Sequence, residues 1–116
     1  MATQAVKRIM WPEGAADEQA VAYAANPVVS ITNMMTILTF AILTGDSELD
    51  LDIDSEVKDG AQLLLIVPAT ANADDLTLGD GIQGPVIVGV AGKTKTQKFT
   101  LSNGVFYPDG AIVQID

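Results

Sequence analysis

The chain has 116 residues, with 15 acidic and 6 basic side chains, no histidine and no cysteine, and so a formal net charge of −9. This length suits one domain, and the missing residue types exclude disulfides, thiolate nucleophiles, imidazole bases and the usual zinc sites. Because nucleic acids and anionic membranes attract basic surfaces, the charge predicts that neither is a partner.

Residues 1–26 differ from the rest of the chain and predict an N-terminal arm, with a β-domain over residues 27–116. The arm has too few large apolar residues to fold alone. Its Ala-rich part, Ala15–Ala25, can form a short helix, because acids lie near its start and Asn26-Pro27 follows its end. We therefore expect that deleting residues 1–26 leaves a folded β-domain.

The arm also contains the best candidates for docking onto a larger assembly. Trp, Met and Arg are enriched in the cores of protein interfaces. The docking candidates are Lys7, Arg8, Met10 and Trp11. The alternative is that Trp11 lies against the sheet of its own domain.

An uncharged stretch runs from Gln19 to Gly45, which is long enough to meet the crude length criterion for a membrane span. Polar residues interrupt it, its flanks are acidic, and no basic residue anchors either end. Its β-branched composition favours strands, so we expect no membrane segment. A small membrane-anchored protein is the alternative that this stretch leaves open.

From Pro27 onward the pattern is that of short strands separated by Gly, Pro, Asn and Asp turns. About eight or nine short strands with no long helix predict an all-β fold, an antiparallel β-sandwich or barrel-like domain. Asn103-Gly104 is the strongest hairpin signal. The predicted strands are Val28–Asn33, Met34–Leu43, Glu48–Ile53, Gln62–Val67, Leu76–Leu78, Val86–Val90, Thr94–Leu101, Val105–Tyr107 and Ala111–Ile115.

Two of these segments have informative patterns. Glu48–Ile53 alternates between acidic and apolar residues, which predicts a strand with one buried face. Gln62–Val67 is a continuous apolar run, which is typical of a strand covered on both faces.

The alternating strand carries most of an acidic ladder, whose members are Asp46, Glu48, Asp50, Asp52, Asp54 and Glu56. Calcium binding is one interpretation, but side chains two residues apart on a strand are roughly 6.5–7 Å apart, too far for one ion. A solvated face that blocks edge-to-edge aggregation is another. The third is an interface with a basic partner, for which the candidates are Asp50, Asp52 and Asp54. The sequence predicts no metal and no cofactor.

A basic strip lies in the C-terminal half, from Lys93 to Lys98, and holds three of the six bases. Lys93 and Lys95 share one face if the segment is a strand. We therefore treat them as subunit-interface candidates that pair with the acidic ladder, within one chain or between copies. The alternative is an edge strand protected by lysines.

The segment from residue 74 to 110, DDLTLGDGIQGPVIVGVAGKTKTQKFTLSNGVFYPDG, resembles small virion proteins of tailed phages that infect Bacteroidales, including the crAss-like phages. The similarity covers roughly residues 44–116, and its motifs are short and structural. They are, in order, Gly79-Asp80-Gly81-Ile82, Gly92-Lys93-Thr94-Lys95, Phe99 and Asn103-Gly104-Val105-Phe106-Tyr107.

This resemblance implies a protein of the phage head and no enzymatic activity. The expected role is an auxiliary or decoration protein of the capsid, or a head-fibre subunit, made in the cytoplasm of the bacterial host and located on the virion surface. The expected partners are the major capsid protein or other virion proteins, and further copies of the chain, with a trimer favoured. The alternative is a secreted or surface carbohydrate-binding or adhesive β-module, against which the few aromatic residues count.

Reversing the charge of Lys93 and Lys95 tests the proposed pairing with the acidic ladder. If the pairing exists, the double variant has a lower free energy of unfolding or a weaker self-association than wild type, because its ion pairs are lost. Added salt screens these ion pairs in wild type and so reduces the difference. Urea unfolding and analytical ultracentrifugation at two salt concentrations measure both effects. Unchanged stability and assembly would show that the pairing is absent.

Overall fold

The computed structural model describes residues 16–68 and 74–115, and in these residues the secondary structure consists of strands and no helix. Nine strands follow one another in these two ranges. They are β1 (Asp17–Val21), β2 (Val28–Ile31), β3 (Met35–Phe40), β4 (Ser47–Ile53), β5 (Gln62–Val67), β6 (Leu76–Leu78), β7 (Thr94–Ser102), β8 (Val105–Pro108) and β9 (Val113–Ile115). The all-β prediction is confirmed.

The strands form two sheets between which the chain alternates. The six-stranded sheet has the order β9-β7-β5-β3-β1, with β8 also paired to β7, and the three-stranded sheet has the order β2-β4-β6. The pairs β1–β3, β3–β5, β2–β4 and β4–β6 are all parallel. Between strands, antiparallel pairing is confined to β7 and its neighbours β5, β8 and β9, and one isolated antiparallel bridge joins Leu76 of β6 to Ile87.

Each pass of the chain therefore adds one strand to each sheet, which is the winding of a β-solenoid. The three coils β1–β2, β3–β4 and β5–β6 stack through parallel pairing in both sheets. Such coils bury their apolar side chains mainly against the coils above and below them. After the third coil, β7 runs back antiparallel to β5 and ends the solenoid.

One core lies between the two sheets. Leu38 and Leu65 reach it from the six-stranded sheet, and Leu49 reaches it from the three-stranded sheet; all three are fully buried. The remaining large side chains of the core come from the strands and from the loops that connect them. Among them are Ile31, Phe40, Leu63, Leu76, Ile82, Ile87, Phe99, Leu101 and Phe106.

The prediction of an antiparallel sandwich or barrel is wrong, because all four strand pairs in the first three coils are parallel. Alternation along a strand shows which side chains are buried, but it carries no information about the direction of the neighbouring strand. The sequence signal for antiparallel pairing came from one turn, and it applies to the two strands that this turn joins. At the Asn103-Gly104 turn the hairpin between β7 and β8 is confirmed, with φ of 57° and 84°.

The predicted helix in Ala15–Ala25 is also wrong, since β1 occupies Asp17–Val21 and pairs with β3. Val86–Val90 is no strand either; Ile87 makes a single bridge to Leu76. Within the two described ranges, no helix has the length and apolar character needed to span a bilayer.

Residues 17–26 hold the second coil in place, although they fall in the predicted arm. Val21 is buried, and the carbonyl of Ala24 accepts a hydrogen bond from the Ser47 hydroxyl at 2.7 Å. The carbonyl of Ala25 accepts one from the amide of Glu48 at 2.9 Å. The first coil is thus part of the folded β-structure.

Two deletion variants distinguish the contribution of this coil to stability from that of the residues before it. We expect removal of residues 1–26 to lower the free energy of unfolding by about 2 kcal/mol or more, since burial of Val21 alone contributes roughly that much. Removal of residues 1–15 leaves β1 intact and is the matched control. Urea unfolding followed by circular dichroism measures both, and equal stability of the two deletion variants would contradict the expectation.

Candidate functional site

The acidic ladder lies on the outer side of the three-stranded sheet. Along β4 the side chains alternate as predicted, with Leu49 and Leu51 buried and Glu48 and Asp52 exposed. The strand is the middle strand of its sheet, with β2 on one side and β6 on the other. The interpretation that the acids protect a sheet edge is therefore wrong.

Asp50 is half-buried, and its carboxylate joins β4 to loops on both sides. One oxygen accepts a hydrogen bond from the Asn26 side-chain amide at 3.0 Å, and the other accepts one from the backbone amide of Asp80 at 2.8 Å. A Cβ at Gly79 would collide with the carboxylate oxygens of Asp50 and Glu48. The loop after β6 therefore passes directly beside these two carboxylates.

Two other members of the ladder have similar structural partners. Asp46 accepts a hydrogen bond from the backbone amide of Asp75 at 2.9 Å, and Asp54 accepts one from that of Glu56 at 2.8 Å. In the described part of the chain, no group of three or more acidic side chains is arranged to hold a metal ion. The carboxylates of Asp46, Asp50 and Asp54 thus connect strands and turns.

The basic strip lies in the other sheet. Lys95 belongs to β7, opposite Val67 of β5 and Gln114 of β9, and Lys93 lies in the turn before the strand. Since β7 has neighbours on both sides and none of them is β4, the proposed pairing with the acidic ladder is not formed within one chain. The edge-strand interpretation of the lysines is also wrong. Pairing between copies stays a prediction.

The docking candidates of the arm, Lys7, Arg8, Met10 and Trp11, lie outside the described residues. The structure instead brings out a surface that the sequence analysis missed. This is the side of the six-stranded sheet that points away from the core, which we call the outer face. Its strand residues include Glu18 and Ala20 of β1, Met35, Ile37 and Thr39 of β3, Gln62, Leu64 and Ile66 of β5, Thr94, Thr96, Lys98 and Thr100 of β7, Tyr107 of β8, and Val113 and Ile115 of β9.

The outer face is mainly apolar and threonine-rich. Ile37, Leu64 and Ile66 are half-buried, and Val113 and Ile115 are 54% and 50% exposed. Its strand residues carry one acid, Glu18, and one base, Lys98. The continuous apolar run of β5 was the sequence signal for this face, because residues that point away from the core there are as apolar as those that point into it.

A groove of about 160 Å³ opens on this face. Its walls come from the three central strands of the sheet and from the turn after β8. They include Met35, Ile37, Leu64, Lys98 and Asp109. The groove is thus an apolar recess on the central strands, with Lys98 as one of its walls.

The motifs that carry the phage resemblance occupy turns and core positions. Ile82 is fully buried, and its neighbour Gly81 has φ of 79°, a conformation that side chains with a Cβ rarely adopt. Gly92 has φ of 81°, and Phe99 and Phe106 are buried in the core. These residues shape the scaffold. No protein-family model, curated protein or solved structure matches the chain.

Asp50 and Asp52 form a matched pair for testing the structural role of the ladder. Replacing Asp50 by Ala removes an acceptor that two hydrogen bonds use, so we expect a loss of about 1–3 kcal/mol of unfolding free energy. Replacing the exposed Asp52 by Ala should change it by less than about 0.5 kcal/mol. Urea unfolding measures both. Equal effects would show that the ladder acts only through its total charge.

Proposed function

We propose that the protein is a structural subunit of a tailed-phage virion. In this role it binds the surface of the head as an auxiliary or decoration protein, or as a head-fibre subunit, and acts by binding alone. The observation that carries the proposal is a two-sheet scaffold whose two outer sides differ: one is acidic, and the other is apolar and nearly uncharged among its strand residues. Such a scaffold can meet different partners on its two sides.

The resemblance of residues 74–110 to small phage virion proteins supports this role. The shared motifs lie in turns and in the core, so they describe a scaffold that such proteins could have in common. Their positions suit a protein whose work is to present surfaces.

The physical contribution of such a subunit is buried area at the junctions of a shell. An interface of roughly 800 Å² per partner is typical of stable complexes. Exposed apolar side chains such as Val28, Ile42 and Val113, at 66%, 56% and 54% exposure, are available for such contacts. The proposed partners are the major capsid protein or other virion proteins, after synthesis in the cytoplasm of the host.

The decisive experiment is quantitative mass analysis of purified virions. The copy number of the protein is measured against that of the major capsid protein in the same particles. Near-stoichiometric abundance is expected for a decoration protein, and a few copies for a head-fibre subunit. If washed particles contain none of it, the proposal is wrong.

Rebinding to particles that lack the protein tests the docking residues. We expect Trp11→Ala to reduce the amount bound by about tenfold, since a buried aromatic anchor is often an interface hot spot. Lys58→Ala, which changes an exposed side chain in the turn after β4, is the control for docking through the arm. Particles are sedimented with each variant, and gel electrophoresis of the pellet measures the amount of protein bound. Wild-type binding by the Trp11 variant would remove that residue from the docking site.

A further inference from the structure

The outer face of the six-stranded sheet has a composition that is unusual for a surface in contact with water. Parallel strands usually lie in sheets that are covered on both sides, and a sheet with one solvated side normally carries polar residues there. Here β3 and β5 are parallel, and their outward residues include Met35, Ile37, Leu64 and Ile66. The chemistry of this face is that of a sheet surface that packs against something.

One row of residues across this face is self-complementary. The strand register places Glu18 opposite Ile37, Ile37 opposite Leu64, and Leu64 opposite Lys98. The row therefore reads acid, apolar, apolar, base across four neighbouring strands. Reversing its direction exchanges the acid with the base and the two apolar residues with each other.

We propose that the occupant of the outer face is a second copy of the chain, packed face to face about a twofold axis. The axis runs parallel to the strands and passes over the space between β3 and β5. This operation places Glu18 of one copy over Lys98 of the other, and Ile37 over Leu64. Both contacts occur twice, as in any isologous interface.

The geometry tolerates the usual angle between packed sheets. With strands about 4.8 Å apart, Glu18 and Lys98 each lie about 7 Å from the axis. An axis inclined by about 15° to the strands gives the usual angle of about 30° between the two sheets, and it displaces facing Cα atoms by roughly 4 Å along the strand direction. The long side chains of Glu and Lys span that distance, and Ile37 and Leu64, which lie nearer the axis, are displaced less.

The charge distribution favours this face over the rest of the surface for self-association. Two copies that each carry a net charge of −9 repel when their acidic sides approach. On the outer face the strand residues carry one acid and one base, and the twofold arrangement brings opposite charges together. The carboxylate of Asp109, at the rim of this face, accepts a hydrogen bond from the Thr100 hydroxyl at 3.0 Å, so it has a partner within its own chain.

The area fits a weak dimer. With the axis between β3 and β5, the sheets of the two copies overlap over the four strands β1, β3, β5 and β7, an area about 19 Å wide and about 20 Å long, or roughly 400 Å² per copy. The pair then covers about 800 Å² in total, which is in the range of weak, transient interfaces. The groove beside Leu64 and Lys98 can receive an apolar side chain of the second copy. This proposal does not depend on the virion role.

The test is a charge exchange in the full-length protein, read by sedimentation equilibrium. We expect wild type to dimerise, and Glu18→Lys and Lys98→Glu each to raise the dimer dissociation constant about tenfold, because each creates two like-charge contacts. The double variant, which restores opposite charges, should return to within about threefold of wild type. Leu64→Thr should also weaken the dimer, since it removes apolar contact near the axis.

Two controls keep the outcome interpretable. Glu56→Lys and Lys58→Glu change the same charges by the same amounts but lie in the turn after β4, so they should leave the dissociation constant unchanged. Urea unfolding of each variant shows whether the fold is intact. Three results would overturn the proposal: a wild-type monomer at all concentrations, a double variant no better than either single variant, or a trimer that the charge changes do not affect. A monomer that dimerises only after removal of residues 1–15 would also overturn it, because that segment would then be the occupant.

Discussion

The parallel hydrogen-bonded ladders between successive coils are the constraint on which the rest of the structure depends. In each coil one strand joins the six-stranded sheet and the next joins the three-stranded sheet. The pairing register in one sheet therefore limits the pairing register in the other. A shift of one residue in β3 would move Leu38 out of the core and Ile37 into it. The same shift would break the cross-sheet row that ends at Glu18 and Lys98.

This constraint accounts for two members of the acidic ladder. The loop after β1 and the segments on both sides of β6 must approach β4 closely for the coils to stack, and their backbone and side-chain amides need acceptors. Asp46 and Asp50 provide those acceptors, and Gly79 leaves the space that the carboxylates occupy. Acids that look like a binding site in the sequence therefore contribute to the cohesion of the coils.

Sequence patterns predicted the strands well and their partners poorly. Glu48–Ile53 and Gln62–Val67 matched β4 and β5 closely, because burial on one or both faces leaves a direct record in residue type. The parallel winding left no such record, since its coils differ in length and share no repeated motif. Ala15–Ala25 shows the same limit: its alanines favour a helix by propensity, but pairing with β3 makes Asp17–Val21 a strand.

One candidate surface could be predicted from the sequence of a single strand, and the other could not. The alternation of β4 made its acidic side visible in the sequence, whereas the outer face consists of residues from six strands that only the fold brings together. Within their own segments Ile37 and Leu64 cannot be told by residue type from their core-facing neighbours, and Glu18 and Lys98 are 80 residues apart along the chain. Their arrangement in one row is a property of the register, and it divides a strongly acidic chain into one side that repels copies of itself and one side that can accept them.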